Sequence, residues 1–222
     1  MFGPFRAAPH LYPVEPVPLL SAFYFGSVEH YRLLARHPKV IIDLGEHYER
    51  QSHRTRTTIV GPNGVQHLNV RIARDHGHKM PMRTVGISYA ETWPQQHLHA
   101  IRSAYGQTPW FIHYINAIEH VLTTRHERLA DLLLATMRLG LGWLGLRTEL
   151  EISNTYVEPD ATFLDLRTTL HPKKPLPPAV EAVQPYPQVF ADRHGFVPRL
   201  SIIDLVCNRG PSAGGHLLAD RA

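Results

Sequence analysis

Within eleven residues, Glu46-His47-Tyr48-Glu49-Arg50-Gln51-Ser52-His53-Arg54-Thr55-Arg56 gathers two carboxylates, three guanidinium groups, two imidazoles and a phenol. Guanidinium groups present forked donors that match the paired oxygens of a phosphate or carboxylate, so Arg50, Arg54 and Arg56 suit an anionic ligand. If residues 54 to 56 are extended, Arg54 and Arg56 share one face and could act as a two-pronged clamp. The plain alternative is a pair of surface arginines balanced by Glu46 and Glu49. A second chemical group is His97. It falls at the start of a helix opened by Thr92-Trp93-Pro94-Gln95, where the positive end of the dipole keeps an imidazole neutral and able to act as a general base. The alternative there is a packed histidine bonded to a neighbouring carbonyl.

These groups need elements to hold them. The polar stretch directly follows Val40-Ile41-Ile42-Asp43-Leu44, an apolar β-branched run expected to form a strand buried on both faces. Upstream, Pro18 to Phe25 reads as another strand. Gly26-Ser27 then caps a helix carrying Val28, Tyr31, Leu34 and Ala35 at helical spacing, which completes a βαβ unit. Open α/β sheets place their sites just beyond such strands. Thr57 to Val60 and Val65 to Ile72 flank Asn63-Gly64 and predict a hairpin. Thr84 to Tyr89 alternates again. Three helices follow, the first from Thr92 to Gly106, the second from Thr108-Pro109 through Leu122, and the third from about Glu127 to Leu144. The expected fold is α/β: a three-layer mixed sheet starting with a βαβ unit, with a β-hairpin and a three-helix segment.

Beyond Leu146, Leu150 to Ser153 reads as a further strand. Residues 171–180 hold four prolines and predict an irregular excursion. Ser201 to Asn208 reads as a short helix in which Asp204 sits at the capping-box position. The expected layout is an extended segment over 1–17, a single domain over 18–211 and a flexible tail over 212–222.

The 222 residues, 43% hydrophobic and 19% charged, describe an ordinary globular chain. A net charge of +4 favours anions without amounting to a nucleic-acid footprint. Sixteen histidines predict anion affinity that strengthens on mild acidification. The single cysteine, Cys207, excludes an internal disulfide and a thiolate cluster. No signal peptide or spanning segment is read, so a cytoplasmic location is expected. Walker, Rossmann, nucleophile-elbow and zincin motifs are absent. The His76/His78 and His97/His99 pairs lack chelating geometry in regular structure, so no metal is expected. No cofactor is assigned.

Taken together, the chain resembles the WbqC-like protein family in its Bacteroidetes-type form. The resemblance rests on Tyr24 to Leu34, Glu46 to Arg56 with Asn63-Gly64, and Trp93 to Tyr114. It continues through Asp165-Leu166-Arg167, His171-Pro172-Lys173, Tyr186 to Phe190 and Gly195 to Leu205. Against the family's loop pattern the chain substitutes Glu at 49, Arg at 50, His at 53 and Thr at 55. Thr55 lacks the paired donor and acceptor of the family's carboxamide. The resemblance implies a group-transfer enzyme, of the aminoacyl or glycine type or similar, linked to surface-polysaccharide (O-antigen) assembly. The alternative is a non-catalytic binding or scaffold protein of such a pathway. Expected partners are an anionic or nucleotide-linked small-molecule donor and other glycan-biosynthesis proteins, with neither nucleic acid nor a membrane span. Glu46 and His97 are the candidate catalytic residues. Tyr24, Tyr48, Arg50, Arg54, Arg56, Tyr105, Tyr186 and Gln188 are the candidate ligand-binding residues.

Overall fold

A computed structural model describes residues 15–73 and 80–219. The chain opens with strand β1 (Val17–Leu20), helix α1 (Val28–Arg36) and strand β2 (Lys39–Asp43), and β1 pairs in parallel with β2, as the βαβ expectation requires. The hairpin β3 (Arg56–Gly61) and β4 (Gly64–Asn69) follows, with Gly64 at φ 106° supplying the turn conformation expected of Asn-Gly. Three helices then run as α2 (Trp93–Tyr105), α3 (Phe111–Thr123) and α4 (Leu129–Leu144). Strands β5 (Glu149–Ser153) and β6 (Phe163–Asp165) return to the sheet, and α5 (Ala191–His194), α6 (Ile202–Arg209) and α7 (Ala213–Leu218) end the described chain.

The fold is α/β, as expected. The main sheet has the order β5-β2-β1-β6 and is parallel at every pairing, while the hairpin stands as its own two-stranded sheet. From β1 the chain moves outward to β2 and β5, then crosses to the other side of β1 to add β6. That order places the reversal between β1 and β6, where the C-terminal ends of parallel strands leave a crevice. Buried apolar side chains from Leu20 to Leu217 form one cluster, with Leu20, Val40 and Ile42 of the sheet among Tyr31, Ile101, Leu133 and Ile203 of the helices. No helix among the described residues is long and apolar enough to cross a membrane.

Several boundaries differ from expectation. The first strand stops at Leu20 rather than Phe25. Beyond it, the buried Phe25 takes φ 38°, an uncommon conformation for a bulky residue. Its carbonyl accepts from Thr57 Oγ1 (2.7 Å) and Ser201 Oγ (3.0 Å) and its amide donates to Thr136 Oγ1 (3.3 Å), so three distant elements fix this bend. Residues 84–89 contribute isolated bridges, Ile72 with Ile87 and Gly86 with Arg128, rather than a strand. Asp204 is no capping residue: it is fully buried, and its carboxylate accepts from Tyr186. The expected flexible tail includes α7, whose Ala213 and Leu217 are buried and whose end is capped by Arg32 donating to Leu217 and Ala219 carbonyls (2.8 and 2.9 Å). The irregular stretch is longer than residues 171–180, running from Leu166 to Phe190, and Leu170, Val180, Val183 and Tyr186 pin it to the core. Most of the expected extended N-terminus, and the His76/His78 pair, lie outside the described residues.

The segment joining β5 to β6 must pass close over the end of β2, and Gly45 permits it. A Cβ there would lie 2.0 Å from Tyr156 N and 2.1 Å from the Thr155 carbonyl carbon. Gly45→Ala should therefore cost at least roughly 1–3 kcal/mol in urea unfolding and speed exchange of the Val157 amide, which donates to Asp43 Oδ2 at 3.2 Å. An unchanged midpoint and unchanged exchange would show that the segment has room to spare.

Candidate functional site

The C-terminal ends of β2 and β6 carry Asp43 and Asp165, and Arg167 reaches back between them. Its Nη1 pairs with Asp43 Oδ2, and its Nε and Nη2 donate to Asp165 Oδ1 and Oδ2 at 3.0 and 2.6 Å. The remaining N–H groups go to the Val157 carbonyl (2.9 Å) and the Tyr156 hydroxyl (3.4 Å), with the Tyr156 ring 4.7 Å from the guanidinium carbon. All five donors of this side chain are thus engaged. Asp43 is fully buried, and its Oδ1 accepts from the Gly45 and Glu46 amides (2.8 and 3.0 Å), which shapes the start of the polar loop. That loop is held from outside by Tyr48 N–H to Met80 O (2.8 Å) and Met82 N–H to Glu46 O (2.7 Å).

A second buried guanidinium lies alongside. Arg54 grips Glu46 bidentately through Nε and Nη2 (2.9 and 2.6 Å), reaches Glu49 with Nη1 (3.2 Å) and donates to the Arg167 carbonyl (3.4 Å). Burial raises the Glu46 carboxyl above its usual range, against the pull of Arg54. Above this floor opens a cleft of about 480 Å³. It is lined by the loop after β2, from Glu46 to Arg50 with Arg54, together with Tyr156, Asp165, Arg167 and Thr168. Behind Arg54 a separate void of about 10 Å³, enough for one water, is lined by Ser21, His30 and His53 among others. The buried Nε2 of His53 has no partner there among the described residues.

Of the candidate residues, Glu46, Tyr48, Arg50 and Arg54 meet in the cleft. The paired-arginine clamp does not form. Arg54 is committed to carboxylates, while Arg56 begins β3 and donates to Asn69 Oδ1 across the hairpin (3.0 Å). His97 does not line the cleft. It sits in the second turn of α2, is 4% exposed, and its Nδ1 lies 2.9 Å from the Tyr24 hydroxyl, so the two candidates satisfy each other. Burial depresses this imidazole to about 4, so it is neutral for that reason rather than because of the helix dipole. Burial likewise holds His30 at about 3 and His53 well below its usual range, and mild acidification leaves these three uncharged. The expected gain in anion affinity at low pH cannot come from them.

Tyr105, Tyr186 and Gln188 gather elsewhere, around Asp204. Tyr186 donates to Asp204 Oδ2 at 2.7 Å and Gln188 Nε2 lies at 3.3 Å, while the Tyr105 hydroxyl faces the same carboxyl without reaching hydrogen-bond geometry. Burial pushes Asp204 up to about 6. All four residues are buried. They cross-brace α2, α6 and the irregular segment.

Asp43, Tyr156, Asp165, Arg167 and Thr168 were not singled out by spacing. Only the Asp165-Leu166-Arg167 tripeptide carried a signal, and it gave no hint that its arginine meets Asp43, 124 positions earlier. The Arg167 and Asp43 side chains are 4% and 0% exposed, so removing one strands the other's charge. Arg167→Met should destabilise by roughly 3–5 kcal/mol. Adding Asp43→Asn should recover part of that loss, with a coupling of about 0.5–3 kcal/mol in a double-mutant cycle. Simple additivity would mean the two charges are not coupled.

Among comparisons with known proteins, the model of the WbqC-like protein family matches residues 24–173. No curated protein and no solved structure is a match. The matched span holds every residue that lines the cleft, whereas the resemblance noted from Tyr186 to Leu205 falls beyond it. With more than half of its length matched, and with the segment from Glu46 to Arg56 inside that match, the chain belongs to the WbqC-like protein family.

Proposed function

We propose that the cleft is the donor site of a group-transfer enzyme serving surface-polysaccharide assembly. The supporting observation is that two buried guanidinium groups, each locked by carboxylates, form a rigid floor at the C-terminal edge of a parallel sheet, while Glu46, Tyr48, Arg50 and Thr168 border open volume. Preorganised polar groups in such a place favour binding with little reorganisation. Arg50, exposed and without a hydrogen bond or ion pair among the described residues, supplies the charge for an anionic or nucleotide-linked donor. Glu46 is the proton acceptor for the attacking group. Each of its oxygens takes one N–H from Arg54 and retains a second lone pair, and its raised pKa moves it toward the operating range of a general base. The link to glycan assembly and the class of group moved, aminoacyl or similar, rest only on what the family resemblance implies.

A second reading, a non-catalytic scaffold of the same pathway, draws on one observation: both buried arginines already spend their donors internally. Ligand-dependent melting against sugar nucleotides, aminoacyl donors and acyl carriers separates the two. At 100-fold excess over Kd, a bound donor stabilises by about 2.7 kcal/mol, a shift of several degrees. The enzyme reading expects this shift for one donor class, its loss in Arg50→Ala, and turnover that falls at least 100-fold in Glu46→Gln with binding retained. A silent panel together with capture of a glycan-assembly protein would favour the scaffold.

A further inference from the structure

The positive charge at this end of the molecule divides into two kinds. Arg54 and Arg167 are neutralised by Glu46, Glu49, Asp43 and Asp165. Arg50, Lys173 and Lys174 are exposed, and none makes an ion pair with a carboxylate among the described residues. Among the described residues, Lys173 Nζ bonds the neutral side-chain carbonyl of Gln51, next to Arg50. Lys174 Nζ bonds the backbone carbonyl of Thr168 (2.8 Å), a residue of the cleft wall. These contacts set the turn after His171 beside the cleft, Lys174 against the wall residue Thr168 and Lys173 against the neighbour of Arg50.

The turn is built to hold that position. Arg199, itself at φ 61°, donates to the His171 and Lys174 carbonyls (2.8 and 2.7 Å), and the Lys173 amide donates to His171 Nδ1 (3.1 Å). Its backbone is therefore tied down, while both ammonium groups keep donors to spare. Glu49, which lines the cleft beside Arg50 with its side chain 41% exposed, is engaged by Arg54 (3.2 Å), and its other oxygen lies 4.0 Å from His171 Nε2. A lone carboxylate ligand needs one cation. Three cations without a carboxylate partner among the described residues, one forked and two compact, beside one cleft suit a group with several anionic oxygens.

We infer that the mouth of the cleft is a phosphate-binding rim, in which Arg50, Lys173 and Lys174 hold a phosphate or diphosphate and the floor faces the remainder of the ligand. The inference rests on the cleft being the donor site and assigns the chemistry of its outer half. The same chemistry could be met by free phosphate or by a phosphate ester, and the test separates them. Calorimetric titrations at low ionic strength use inorganic phosphate, pyrophosphate and UDP against three proteins: wild type, the Arg50→Gln/Lys173→Gln/Lys174→Gln variant, and Thr168→Trp, which fills the cleft. The three rim residues are exposed, so that variant keeps its fold, as circular dichroism would verify.

Pyrophosphate should bind wild type with an affinity that falls as salt rises, and the rim variant should bind it at least tenfold more weakly. UDP should exceed pyrophosphate in wild type and lose that excess in Thr168→Trp; equal affinity for the two would mark a site for the free anion. Absence of pyrophosphate binding, or undiminished binding in the rim variant, overturns the rim. If UDP binding is lost in Thr168→Trp but untouched in the rim variant, the rim falls and the cleft stands. If the rim variant loses pyrophosphate while no probe responds to Thr168→Trp, the rim stands and the cleft as donor site falls.

Discussion

The cleft depends on a single guanidinium group, that of Arg167, held between two aspartates that end strands on either side of β1. Taking charges out of water costs several kcal/mol for each ion, and only tight pairing with full hydrogen bonding offsets it. Arg167 meets that condition with every donor used. In doing so it ties the end of β2 to the end of β6 and draws Tyr156 and Val157 over the same edge. The order of the sheet makes this edge the place where the chain reverses direction, so the buried Asp43–Arg167–Asp165 network and the cleft of about 480 Å³ coincide there.

A guanidinium already satisfied by carboxylates is a building block rather than a hand for ligands, because an anion could bind only by displacing a partner of equal charge. Arg54 falls under the same rule through Glu46 and Glu49. In the proposed site, the groups available to a ligand are those the network leaves free at its border, Arg50, Tyr48, Thr168 and the unoccupied lone pairs of Glu46, with Lys173 and Lys174 beside them. Rigidity in the floor and freedom at the rim follow from one pattern of pairing.

Local order was legible where local chemistry decides it. Asn63-Gly64 specifies a hairpin, the run from Val40 to Ile42 specifies a buried strand, and α2, α3 and α4 follow from apolar spacing. The chemically dense loop after β2 walls the cleft with Glu46 to Arg50 and Arg54, because a polar loop after a parallel strand has few other places to go, while Arg56 departs into β3. What the sequence could not convey is who pairs with whom. Arg54 meets a carboxylate eight residues earlier, and Arg167 one that is 124 residues away; neither has a spacing signature. β6 has three residues, too few for periodicity to register. His97 looked poised by its place near a helix start, yet burial against Trp93 and Tyr24 made it a structural imidazole.

The central claim is that Arg54 and Arg167 are framework and Arg50 is not. Nitrogen-15 NMR of the arginine Nε–H groups, recorded with and without saturating UDP, addresses it directly. The account predicts that the Arg54 and Arg167 signals exchange slowly with water and keep their shifts when UDP binds, while the Arg50 signal exchanges fast when free and moves on binding. Rapid exchange of Arg54 or Arg167 in the free protein, or a large shift of either on binding with Arg50 unmoved, would contradict it.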